Sequence, residues 1–122
     1  GDVRSAGDAR RAIDETGCEG VMVGRRAIEH PWIFREARAL LDHGTDIAPP
    51  TAAERIALCR EHLIENVAWR GEPFGVHCTR RHLAGYLKGL PGAGAVRQEL
   101  NGCDSLGGCL AILDRAAARA AA

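Results

Sequence analysis

No stretch of this sequence approaches the roughly 18 consecutive apolar residues needed to span a bilayer. The opening Gly1-Asp2-Val3-Arg4-Ser5 lacks the apolar core of a signal peptide, so no membrane association is expected. Initiator methionine is missing too: the single Met is Met22, a pattern that suggests a truncated start. The 5 cysteines, Cys18, Cys59, Cys78, Cys103 and Cys109, form no CxxC pair and are odd in number. That argues against a disulfide framework and against a zinc site, and for reduced, buried thiols in a cytoplasmic protein. There is no GxSxG, HExxH or P-loop and no readable nucleophile–base pair, so no catalytic residue and no metal ligand is assigned. Excess charge is also lacking: 16 basic and 16 acidic residues cancel to a net charge of zero. Any contact with nucleic acid has to be argued from how charge is distributed.

What remains is a chain of 122 residues with 46% apolar content, enough for a modest folded core. Ser5 with Asp8 forms an N-cap signal, Ala6, Ala9 and Ile13 follow at helical spacing, and Gly17 supplies a stop. Gly20-Val21-Met22-Val23-Gly24 is a short apolar run between glycines, the pattern of a strand buried on both faces of a parallel sheet. Helix followed by strand is α/β grammar. One strand makes no sheet, however, because its backbone groups need neighbours that upstream sequence or a partner must supply.

Pro31 opens a further helix carrying Trp32, Ile33, Phe34, Ala37, Leu40 and Leu41. Residues 44–51, with Gly44, Pro49 and Pro50, are expected to form a linker between a first region, 1–43, and a second, 52–122. Thr51 and Glu54 make a capping box for a helix whose face carries Ile56, Cys59, Leu63 and Val67. The spacing predicts another helix over about 74–90, with Val76, Leu83, Leu87 and Leu90 on its apolar stripe. His77, Arg81 and Lys88 project to the opposite side, and Arg80 lies nearer the stripe. Two shorter helices complete the chain, one before Asn101-Gly102 and one from about Ser105.

Two places offer chemistry. Gly24 followed by Arg25, after an apolar run, suits an anion: glycine admits close backbone approach and the guanidinium pairs with phosphate. A plain strand-to-helix turn with a surface arginine has the same sequence. The second place is 74–98, which contains His77, Arg80, Arg81, His82, Lys88 and Arg97 and no acid at all. Cations without nearby carboxylates suit a polyanion backbone; an ordinary solvated helix face has the same composition.

Together these segments resemble the tRNA-dihydrouridine synthases, bacterial branch. Gly1-Asp2 is similar to the end of that family's Asn-Gly-Asp motif, and 16–27 to its final barrel strand and flavin-phosphate loop. His30-Pro31-Trp32-Ile33-Phe34 resembles its Asn-Pro-Trp-Ile-Phe segment, and 80–92 its Arg-Lys-His…Trp-Tyr-x-Lys-Gly-x-Pro segment. The resemblance implies the last βα units of a (β/α)8 TIM barrel followed by a C-terminal helical domain, the whole mainly helical. It implies FMN as cofactor, with Gly1, Asp2, Gly24 and Arg25 contributing to its site. NADPH is implied as electron donor, and tRNA as substrate docked near His77, Arg80, Arg81 and Lys88. The family's enzymes reduce the C5–C6 double bond of particular tRNA uridines. None of the cysteines here matches the catalytic one, which the resemblance places in an N-terminal part absent from this sequence, so the 122 residues alone are expected to be inactive. The other readings are the end of another FMN-binding barrel, such as a dihydroorotate dehydrogenase relative, and a non-catalytic helical RNA-binding module.

Overall fold

Ser5 begins the first regular element as its sequence requires. Its hydroxyl accepts from the Asp8 backbone N–H at 3.1 Å, satisfying one of the amides that a helix start leaves without a partner. The computed structural model describes residues 3–122 and divides into two compact units, one ending at Pro49 and the other spanning Pro50–Ala122.

In the first unit, α1 (Ala6–Thr16) ends at Gly17, whose φ of 70° turns the chain left-handed. A short α2 (Arg25–Glu29) leads to α3 (Ile33–His43), and α1 packs against α3 around buried Ala9, Ile33 and Ala37. Between α1 and α2, the expected strand over 20–24 does not form, and no strand is present among the described residues. Val21 and Val23 are half-buried while Met22 is 88% exposed, so only one side of the segment is covered. The reason is the one anticipated from backbone accounting: with no neighbouring strand to pair its N–H and C=O groups, an apolar segment gains no ladder.

The second unit is built on α4 (Ala52–Arg70), opened by the Thr51–Glu54 capping box with both reciprocal bonds made, at 3.2 and 2.7 Å. Against it pack α5 (Phe74–Thr79), α6 (Leu83–Leu87) and α8 (Leu106–Ala121), with α7 (Ala93–Asn101) between α6 and α8 in the contact order. Ile56, Cys59 and Leu63 of α4 are buried, as are Val76, Leu83, Leu87, Leu90, Leu100 and Leu113. Gly75 lets α5 come close to α4: a Cβ there would lie 2.5 Å from the Asn66 carbonyl oxygen.

The single helix expected over 74–90 is instead two short helices joined by a 3-10 turn, Arg80–His82. The apolar stripe is buried as the spacing requires, but side-chain bonds to other elements flank the break. Thr79 Oγ1 accepts from Asn66 Nδ2 at 2.9 Å and donates to the Gly75 carbonyl at 3.2 Å. Arg80 is tied to residues 103 and 104. Such tertiary bonds override a regular helical period.

Candidate anion pocket and basic face

The first candidate site is a cavity of about 360 Å³ in the first unit, whose rim carries Arg4, Gly24, Arg25 and Arg26, with Met22 and Glu29 alongside. Gly24 is the N-cap of α2 and makes no side-chain capping bond. A Cβ built on it meets no atom within 4 Å, so the space beside its backbone is open. Arg26 is a structural member of the rim. Its Nε donates to the Arg4 carbonyl at 3.1 Å and its Nη1 lies 3.5 Å from Glu29, fastening the start of the chain to α2. Arg25 is exposed and belongs to the same cavity. Among the described residues the lining carries three guanidinium groups and one carboxylate, and an open glycine backbone admits a phosphate oxygen closely. Gly1 and Asp2, assigned to the same site from the sequence, lie outside the described residues.

Behind this rim, His30 Nε2 lies 2.7 Å from Glu36 Oε1 and its ring is 5.6 Å from that of buried Trp32, fixing the turn from α2 into α3. None of the cysteines lines the cavity, and the Cys18 thiol points to the Ala12 carbonyl at 3.7 Å. Among the described residues no cluster of three or more metal-ligating side chains occurs.

In the second unit the structure separates the four residues singled out from the acid-free stretch. His77 Nε2 lies 2.7 Å from Asp104 Oδ1, and Arg80 Nη2 donates to the same oxygen at 2.9 Å and to the Cys103 carbonyl at 3.1 Å. These bonds from His77 and then Arg80 hold the Asp104 carboxyl below the usual carboxylate range. His77 and Arg80 are therefore committed to an acid lying beyond the stretch, which a count over 74–98 missed. Arg81 and Lys88 are exposed. Arg81 lies in the 3-10 turn Arg80–His82, and Lys88 is the C-cap of α6.

Lys88 gains a different neighbour. With Arg97 it lines a hollow of about 270 Å³ floored by Ala84, Leu87, Ala93 and Gly94. Arg55 Nη1 donates to the Gly85 and Lys88 carbonyls at 3.2 and 3.1 Å, holding the end of α6 in place. His82 joins a half-buried ring cluster, 4.6 Å from His62, whose Nδ1 lies 2.8 Å from the Tyr86 hydroxyl. Burial pushes the Tyr86 hydroxyl up to about 12 and lowers the affinity of His62 for a proton.

The entire chain, residues 1–122, matches the family model described as dihydrouridine synthase. It is 38% identical over 100 residues to a probable tRNA-dihydrouridine synthase of Mycobacterium tuberculosis, covering 82% of this chain and 26% of that protein. It is 38% identical over 101 residues to tRNA-dihydrouridine synthase B of Pseudomonas aeruginosa, covering 83% and 30%. It is 34% identical over 116 residues to probable tRNA-dihydrouridine synthase 1 of Synechocystis, covering 95% and 32%. The chain thus spans between 26% and 32% of the length of these relatives.

Proposed function

The chain belongs to the dihydrouridine synthase family, and on that premise we propose that it forms the part of a flavin-dependent tRNA-dihydrouridine synthase that holds the cofactor's phosphate and docks the tRNA. The observation that carries this reading is the arginine-lined cavity at Gly24. It has the charge, the size and the open backbone that a phosphate requires, and it lies in the segment that resembles the family's flavin-phosphate loop. Arg25 and Gly24 would hold the cofactor's phosphate, and Arg26, through Arg4 and Glu29, keeps the rim in shape. FMN bound there, recharged by NADPH, would supply the hydride for the uridine C5–C6 double bond. Residues 52–122 form the helical tRNA-docking domain, residues 1–43 the end of the flavin-binding barrel, and the cytoplasm is the site of action. No thiol in the cavity is placed to donate a proton, so the chain's own residues bind and orient while proton donation falls to the remainder of the enzyme.

Flavin titration of the synthase carrying these residues tests this. Arg25→Ala weakens FMN binding by about 1–3 kcal/mol, the range for a charge-assisted hydrogen bond. Arg25→Lys recovers only part, since a point charge lacks the planar fork. Arg10→Ala, which removes an exposed pair with Asp14 and a 3.4 Å bond to the Leu40 carbonyl but no residue of the cavity lining, leaves affinity unchanged. Parental affinity in both Arg25 variants would remove the residue from the cofactor site.

A further inference from the structure

The five thiols are not equivalent. Cys59 and Cys109 are buried, and Cys18, Cys78 and Cys103 are partly exposed. Cys103 sits in the turn between α7 and α8, and Cys109 in the first turns of α8. Cys109 Sγ donates to the Cys103 carbonyl at 3.8 Å, so the two residues are in contact. The preceding residue, Gly108, keeps this approach open: a Cβ there would stand 2.5 Å from Cys103 Sγ.

We propose that Cys103 and Cys109 form a peroxide-oxidisable dithiol, with Cys103 as the attacking thiol and Cys109 as the resolving one. Exposure assigns the roles, since a hydroperoxide reaches Cys103 and not the buried Cys109. The environment agrees. A backbone hydrogen bond from Ser105 holds the Cys103 thiol below its ordinary range, whereas burial pushes Cys109 up to about 12. Cys103 thiolate attacks one peroxide oxygen; an S–O bond forms, the O–O bond breaks, and hydroxide (or alkoxide) leaves. Cys103 is oxidised to sulfenic acid and the peroxide is reduced. The Cys109 sulfur then attacks Cys103 sulfur; the S–S bond forms, the S–O bond breaks, and the departing hydroxyl leaves as water with the Cys109 proton. Oxidation of Cys103 also removes a neighbouring thiolate charge that disfavours ionisation of Cys109, which Arg80 favours and Asp104 opposes.

The test is treatment of the native chain with hydrogen peroxide, blocking of residual thiols, and tryptic mapping. Both cysteines fall in one tryptic peptide, Gln98–Arg115. In the native chain this peptide is expected to lose two hydrogens, take up no alkylating reagent and revert with dithiothreitol. It should do so at least about tenfold faster than Cys18 or Cys78 is consumed, because thiolate character and a positioned partner both favour it. Cys109→Ser should accumulate a sulfenic acid at Cys103, trapped by dimedone. The wild-type measurement stands alone if that buried substitution unfolds the chain. Oxygen addition at Cys103 without the internal bond, oxidation that begins at Cys109, or consumption of Cys18 and Cys78 at the same rate would overturn the proposal.

Discussion

At the scale of single residues, Gly75 and Gly94 show how much a missing side chain decides. A Cβ at Gly75 would stand 2.5 Å from the Asn66 carbonyl oxygen and 2.7 Å from the Val67 Cα, both backbone atoms that cannot swing aside. At Gly94 a Cβ meets nothing within 4 Å. Gly75→Ala is therefore expected to destabilise the second unit by about 1–3 kcal/mol, as overpacked positions do. Gly94→Ala in α7 should be neutral or stabilising by up to about 1 kcal/mol. Urea denaturation of the two variants separates these outcomes, and equal stabilities would contradict the close approach of α5 to α4. Nothing in the local sequence announces this difference, because both glycines sit among helix-forming neighbours. The same holds for Asp104: its partners His77 and Arg80 lie 27 and 24 positions away, so only the folded chain reveals that both are bonded to an acid.

At the scale of elements, short-range signals were legible and long-range ones were not. Ser5 with Asp8 and Thr51 with Glu54 cap their helices because the partners are three residues apart and the bonds are local. The 20–24 segment has strand composition but no ladder, since pairing is a property of neighbours. The 74–90 helix breaks where Thr79 and Arg80 bond to α4 and to the turn before α8. The packing of α4 on α6 carries a pH dependence of its own. Burial lowers the proton affinity of His62, with nearby Glu65 opposing, so the folded state binds this proton less readily than the unfolded chain. The corresponding stability is fully present above the ordinary histidine value of about 6.5 and is lost as pH falls through the lower folded value. NMR titration is expected to place the His62 midpoint below that of an unfolded-chain histidine. A midpoint at or above it would show that the ring is not desolvated against Tyr86 and His82.

At the scale of the whole molecule, the Gly24–Arg25 segment and the cations of 74–98 were visible in the sequence, and the family match over residues 1–122 agrees with the resemblance that those motifs carried. How the cations are divided was not visible. Arg81 and Lys88 are exposed, Lys88 shares a hollow with Arg97, and His77 with Arg80 serves Asp104. We propose that Arg81 and Lys88 contact the tRNA phosphates; His77 and Arg80 bond to Asp104, and Arg80 also to the Cys103 carbonyl. Filter binding of tRNA to the synthase carrying these residues, measured across a salt series, tests this most directly. Arg81→Ala and Lys88→Ala should each weaken cognate and non-cognate tRNA alike and flatten the plot of log affinity against log salt by up to about one unit, without changing which uridine is reduced. Unchanged affinity and unchanged slope in both variants would contradict the account and remove Arg81 and Lys88 from the tRNA interface.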